Sequence, residues 1–176
     1  MTPNRGIDAD FVDLPRHELA EAALSAAKAA GASHADLRLQ RTSTEIIQLR
    51  DGELETAVIS RELGLAVRVI VEGTWGFASH ADLAPSVAAE TARRAVHVAT
   101  TLAALNAERV ELAAEPVYAD ATYVSNYRID PFDIPAADSA ASASSWRGRP
   151  EKSASIPRFG VISPYFCPST CGNTAT

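Results

Sequence analysis

Short turns between runs of β-branched and apolar residues most constrain how this chain folds. The dipeptide Asp51-Gly52 joins two such runs, and a two-residue type I′ turn needs positive φ at both central positions, which Asp and Gly supply. A second turn is predicted at Glu72-Gly73. Strands joined by such short turns pair antiparallel. The sequence therefore predicts a meander of four or five strands, drawn from Asp36–Thr42, Thr44–Arg50, Glu53–Ser60, Leu63–Val71 and Thr74–Ser79.

Alanine-rich helical patterns precede and follow these strands. One helix is predicted over Leu14–Ala30, with Gly31 as its stop, and another over about Asp82–Leu105, with Asp82 as its cap. Their apolar stripes consist mostly of alanine, so each helix can lie close to a sheet. Leu63–Val71 is the most apolar strand and is predicted to be central. The expected fold class is α+β, an antiparallel β-sheet meander with long Ala-rich helices packed on it.

The charge balance argues against nucleic acid as a partner. The net charge is −6 at pH 7 and the pI is about 5.2, whereas phosphate binding needs a basic face. The sequence shows no secretory signal and no apolar run of about eighteen residues that could span a bilayer. We therefore expect a cytoplasmic protein with no membrane partner and no structural disulfide.

The composition changes abruptly near Asp138. Of the 22 acidic residues in the chain, only Glu151 follows that position, and serines and prolines become frequent without a helical or strand period. Such composition is typical of disordered segments. We expect one domain over residues 1–138 and an atypical Ser/Pro-rich tail over 139–176.

No motif in the chain predicts a catalytic or metal centre. His17-Glu18 could begin a zinc-peptidase helix, but Glu21 and Ala22 stand where the second histidine would be required. Cys167 and Cys171 supply at most half of a zinc site. We therefore assign no catalytic residue, no metal ligand and no cofactor within this chain.

The segment Gly73–Phe77 combines glycines with two aromatic residues. It lacks the spacing of either phosphate-binding loop, so we interpret it as a turn followed by a short strand. Trp75 and Phe77 then share one face of the sheet, against the core or along a cleft. Arg38 and Arg68 are the strand cations that could hold a carboxylate, although most such residues are simply solvated or paired. Trp75, Phe77 and Arg68 are the predicted contacts for a peptide or a partner.

The order of several short segments resembles the N-terminal domain of the TldD/PmbA family. Each segment is short, but together they follow the family's order over much of the chain. The form of Gly64–Ser79 looks closer to the TldD branch than to the PmbA (TldE) branch. The matching segments are Gly31-Ala32, Ala35–Arg38, Arg50–Gly52, Gly64–Ser79, Glu115–Tyr118 and Ile129–Asp133.

The resemblance implies a zinc-dependent peptidase system. In that family an H-E-x-x-x-H helix and a downstream cysteine in the C-terminal half hold the metal, and the glutamate serves as general base on zinc-bound water. Subunits of the TldD and PmbA types pair, and their N-terminal domains help to wall a cleft that receives an unfolded peptide as an extended strand. The implied partners are a TldD/PmbA-type subunit and an extended peptide substrate.

This sequence departs from the family because it contains no H-E-x-x-x-H motif. We therefore expect a truncated, TldD-like N-terminal fragment that is inactive alone. A reading-frame shift near residue 138 is our hypothesis for the atypical tail. The alternative is a stand-alone interaction module that binds a PmbA/TldE-like partner or an extended peptide, through the sheet edge or the Trp75/Phe77 surface.

Overall fold

The chain divides into two compact units. A computed structural model describes residues 9–50, 53–113, 128–144 and 158–162. Within that part, the helix–sheet unit comprises residues 13–40 and 63–113, and the hairpin unit comprises residues 9–12, 41–50, 53–62, 128–144 and 158–162. The elements, in chain order, are α1 (Ala9–Val12), α2 (Arg16–Ala29), β1 (His34–Arg50), β2 (Glu53–Val71), β3 (Thr74–His80), α3 (Pro85–Ala103), a 3₁₀ turn (Pro131–Asp133), α4 (Ala136–Ser144) and β4 (Arg158–Ile162).

A three-stranded sheet forms the centre of the helix–sheet unit, in the order β3-β2-β1. Strands β2 and β3 pair antiparallel, with Val71 opposite Thr74. The turn between them is Glu72-Gly73, and both residues have positive φ, 50° and 73°. These dihedrals suit the tight turns that match the twist of a hairpin. The predicted turn and the predicted central strand are both confirmed.

The strands of this unit alternate between a core face and an open face. On the core face of β1, Ala35, Leu37 and Leu39 are buried, and β2 contributes every second residue from Leu65 to Val71. The open face carries the side chains of the opposite parity, of which Arg38 and Phe77 are exposed while Asp36 and Ile70 are buried. A period of two is what a half-buried strand requires.

Small residues bring the helices close to the core face. Helix α3 packs against β3, and α2 packs against α3. The buried stripe of α3 includes four alanines, Ala88, Ala92, Ala95 and Ala99. A Cβ atom built on Gly76 of β3 would overlap the carbonyl oxygen of Ala95 and lie 2.8 Å from the amide nitrogen of Ala99. Glycine is therefore required at position 76 for α3 to approach β3 this closely. The helices packed on an antiparallel sheet confirm the predicted α+β class.

The hairpin unit contains the remaining halves of the two long strands. Its sheet has the order β2-β1-β4, and β4 pairs antiparallel with Arg41–Glu45 of β1. Ile47 is buried, and Arg41 lies over the ring of Phe11 at 5.7 Å. In contrast, nearly all of Glu53–Glu62 is exposed. Because β3 pairs only with Leu65–Val71, this half of β2 is an edge strand among the described residues, and it carries exposed apolar side chains.

Three details of the predicted elements are wrong. The chain does not break near Ser43 or near Arg61, so the five predicted strands are three, two of them long. Backbone hydrogen bonding continues through these polar residues because a strand tolerates them on an exposed face. Asp82 does not cap α3, whose N-cap is Ala84 in an extended conformation with no side-chain hydrogen bond.

Several predictions fall partly or wholly outside the described residues. The turn at Asp51-Gly52 is one, although β1 ends at Arg50 and β2 begins at Glu53. Cys167 and Cys171 are others. Helix α4 crosses the predicted boundary at 138, and β4 lies within the tail for which no regular structure was expected. The division at 138 stays a prediction.

Candidate functional site

The open face of the helix–sheet unit brings together the three residues predicted as contacts. In the β2–β3 register Arg68 lies directly opposite Phe77, and Ile70 lies opposite Trp75. Alternation places Arg68, Trp75 and Phe77 on the face that points away from α3. The prediction that both aromatic residues share a face is thus confirmed, while their role stays a prediction.

Arg68 is held by two neighbours on this face. Its Nε donates a hydrogen bond to Oδ2 of Asp36 at 2.9 Å, and its Cζ lies 4.5 Å from the centroid of the Trp75 ring. The Asp36 side chain is 7% exposed, whereas the Arg68 side chain is 40% exposed. A buried carboxylate fixes the base of the guanidinium, and the indole fixes its plane. The outer part of Arg68 therefore faces solvent in a defined position.

His34 extends this arrangement. Its Nε2 lies 3.5 Å from Oδ2 of Asp36, and its ring meets the Trp75 ring edge-on at 6.1 Å. Asp36 therefore faces nitrogen atoms of both Arg68 and His34. The result is a linked set of four side chains that connects β1, β2 and β3.

A groove of about 220 Å³ lies beside this set. Its volume is below the roughly 300–1,000 Å³ typical of small-molecule and cofactor sites, but it is large enough for one or two side chains. Phe77 forms one wall and is 59% exposed. The groove spans all three strands and is lined by Asp36, Arg38, Gln40, Ala66, Arg68 and Phe77.

The residues that the structure describes do not fit the zinc centre that the family resemblance implies. Nowhere in the described ranges do three His, Cys, Asp or Glu side chains gather as a metal site. His34 and Asp36 lie 3.5 Å apart, but the Asp36 carboxylate already binds Arg68. A hydrolytic zinc site needs three protein ligands and an open position. We therefore derive no chemical step through zinc for this chain.

Asp36, His34 and Gln40 were not singled out from the sequence. Asp36 and Arg68 are 32 residues apart in the chain, and their contact depends on how β1 is aligned with β2. The available signal was the alternation of polar residues on β1, which places Asp36, Arg38 and Gln40 on one face.

No helix in the described part of the chain combines the length and the hydrophobicity needed to cross a bilayer.

Comparison with known proteins places the segment that carries this face in one family. The model of PmbA/TldA metallopeptidase domain 1 matches residues 35–99. A protein named metalloprotease, from Methanothermobacter thermautotrophicus, is 31% identical over 105 residues, which is 60% of this chain and 22% of that protein. This chain thus corresponds to about a fifth of that relative's length.

A solved structure from Bacteroides thetaiotaomicron shares the fold at low sequence identity. A candidate modulator of DNA gyrase from Bacteroides thetaiotaomicron gives a TM-score of 0.53 at 17% identity, covering 84% of this chain and 38% of that one. TldE from Thermococcus kodakarensis gives a TM-score of 0.46 at 16% identity, covering 60% of this chain and 23% of that one. The fold comparison depends on the Bacteroides protein. Residues 35–99 of this chain thus match the first domain of the PmbA/TldA metallopeptidase family, which supports a TldD/PmbA-type N-terminal domain in this segment.

Proposed function

We propose that this domain binds an extended peptide on its open face, as the non-catalytic part of a TldD/PmbA-type peptidase system. The observation that carries the proposal is the exposed Phe77 beside the fixed guanidinium of Arg68. An exposed aromatic residue next to an oriented cation is a typical recognition surface, because it offers both apolar contact and directed polar contact.

The size of the groove supports a peptide as the ligand. Three strands at about 4.8 Å spacing make it roughly 10 Å wide, which is the length of about three extended residues. An extended peptide that crosses the strands would present alternate side chains to the groove. Binding of this kind tolerates many sequences because one or two side chains fill the groove.

We also propose that this chain does not itself hydrolyse peptides. The sequence has no H-E-x-x-x-H motif, and the described residues offer no set of zinc ligands. The reaction would then depend on zinc ligands supplied by a TldD/PmbA-type polypeptide. Closer kinship to the TldD branch and a cytoplasmic location stay predictions from the sequence.

A binding titration tests the first part of the proposal. Fluorescence anisotropy of a labelled, unstructured peptide is measured against the full chain and against Phe77→Ala. We expect saturable binding that weakens about tenfold in the variant, as loss of a phenyl contact implies. Ser79→Ala, on the same strand and exposed, is the matched control. Equal affinity for Phe77→Ala and the unmodified chain would contradict the proposal.

Activity and metal content test the second part. The purified chain is incubated with unfolded peptide and zinc, with and without chelator, and products are followed by mass spectrometry. We expect no cleavage and no stoichiometric zinc by elemental analysis. Turnover that chelator abolishes would show that a hydrolytic centre was missed.

A subunit partner is a second candidate ligand, favoured by a different surface. Leu54, Val58 and Ile59 of the hairpin unit are 56%, 48% and 64% exposed on an edge strand. Exposed apolar side chains on an unpaired edge are typical of strand-to-strand contacts. Co-elution with a PmbA/TldE-type protein, lost in Ile59→Lys and kept in Glu62→Lys, is the expected result.

A further inference from the structure

The groove on the open face has an excess of positive charge in an otherwise acidic protein. Two guanidinium groups, from Arg38 and Arg68, line it against one carboxylate, from Asp36. That carboxylate is buried and already accepts a hydrogen bond from Arg68. The chain as a whole carries a net charge of −6. A local cationic site on such a surface selects for an anionic ligand group.

Of the two arginines, Arg38 is the one without a polar protein partner in the described part of the chain. It is exposed, and among the described residues it has neither an ion pair nor a hydrogen bond. Arg68 uses Nε for Asp36, and its two terminal nitrogens have no partner in the same part of the chain. Donors in fork geometry match the two oxygens of a carboxylate.

We propose that Arg38 and Arg68 bind a side-chain carboxylate of an extended peptide, while Phe77 contacts an apolar side chain two residues away. The inference deepens the proposed function and depends on it. Residues i and i+2 of an extended chain lie on the same side, about 7 Å apart. The long side chains of Arg38 on β1 and Arg68 on β2 can reach across this separation toward Phe77 on β3.

The ligand is an internal Asp or Glu side chain and not a terminal carboxylate. Terminal carboxylates are captured mainly by clusters of backbone N–H groups in a nest. The face of a sheet offers none, because its backbone groups are directed along the ladder to neighbouring strands. The described lining of the groove therefore presents side chains, and guanidinium groups pair well with carboxylates.

The test compares peptides that differ in one group. Three labelled, end-blocked peptides, in which every second residue is Thr, carry Glu-Thr-Phe, Gln-Thr-Phe or Lys-Thr-Phe at the centre. A fourth peptide carries Gln-Thr-Phe and an unblocked C-terminal carboxylate. Affinities for the full chain are measured by fluorescence anisotropy at low and high salt. We expect the Glu peptide to bind about fivefold or more tightly than the Gln peptide at low salt. Preference for the unblocked terminus over internal Glu would overturn the assignment.

Variants of the protein test whether Arg38 causes the preference for the Glu peptide. The Arg38→Gln variant should bind the Glu peptide no more tightly than the Gln peptide. The control Arg94→Gln, which removes a cation on α3, should still prefer the Glu peptide. Arg38→Glu should reverse it, so that the Lys peptide binds better than the Glu peptide. Equal binding of Glu and Gln peptides by the unmodified chain overturns this inference and leaves the proposed function standing. Failure of every peptide to bind overturns both.

Discussion

Nε of Arg68 donates a hydrogen bond to Oδ2 of the buried Asp36 at 2.9 Å, across two strands of the sheet. Trp75 covers the same guanidinium from the third strand, with 4.5 Å between Cζ and the ring centroid. An arginine held in this way loses little further rotamer freedom when it binds a ligand. The guanidinium of Arg68 therefore keeps a defined position on the open face.

Asp36→Ala should lower the free energy of unfolding by about 1–2 kcal/mol, because it removes a hydrogen bond to a charged donor. Much of the Arg68 side chain can be rehydrated, so the loss should be no larger. Urea denaturation measures it. In a double-mutant cycle with Arg68→Ala, we expect a coupling energy of about 1 kcal/mol. Strict additivity of the two substitutions would show that the contact adds nothing to stability.

Gly76→Ala should destabilise the helix–sheet unit by about 2–3 kcal/mol or more. The added methyl group would overlap the carbonyl oxygen of Ala95 and approach the backbone of Ala99, so α3 would have to move away from β3. Thermal and urea denaturation report the change. Ser79→Ala, on the same strand, should stay within about 0.5 kcal/mol of the unmodified chain. An unchanged midpoint in Gly76→Ala would contradict the described packing.

Glu72→Asn should raise the free energy of unfolding by about 0.5–1 kcal/mol. Glu72 has φ of 50°, a conformation that asparagine adopts at lower cost than glutamate. The converse change, Gly73→Ala, should be destabilising, because φ is 73° and the new Cβ would lie 2.7 Å from Cβ of Arg109. Urea titrations of the two variants should therefore shift in opposite directions.

Phe77→Ala should mainly lower peptide affinity, whereas Trp75→Ala should also lower the free energy of unfolding. Phe77 is mostly exposed, so its loss should change the free energy of unfolding by less than about 1 kcal/mol while peptide affinity falls. Trp75 packs against both Arg68 and His34, and its removal should cost about 2 kcal/mol or more. Parallel denaturation and anisotropy measurements test this. Equal effects of both variants on stability would contradict the described contacts of Trp75 with Arg68 and His34.

Local signals in the sequence were sufficient for most of the fold. Glu72-Gly73 marks a two-residue turn because only certain residues accept positive φ. The near-continuous apolar run from Leu65 to Val71 marks a central strand. The alanine stripe of α3 likewise predicts close packing. These properties depend on neighbouring residues, so they can be recognised from the sequence alone.

Other properties depend on contacts between distant segments. The continuity of β1 through Ser43 results from pairing with neighbouring strands, which overrides weak local propensity. The contact of Asp36 with Arg68 needs the cross-strand alignment as well as the sequence. The candidate site was therefore predicted only in part, as its aromatic residues and its arginines, without the carboxylate that orients them.

An NMR titration of the full chain with the blocked Glu-Thr-Phe peptide tests the central claim most directly. The measured quantities are shifts of the Trp75 indole N–H, the Arg38 and Arg68 Nε–H groups and the backbone amides. We predict that the largest saturable shifts fall on these side chains and on Phe77, with α3 unaffected. Shifts confined to α3 or to Glu53–Glu62, or no saturable shift at all, would contradict recognition by the open face.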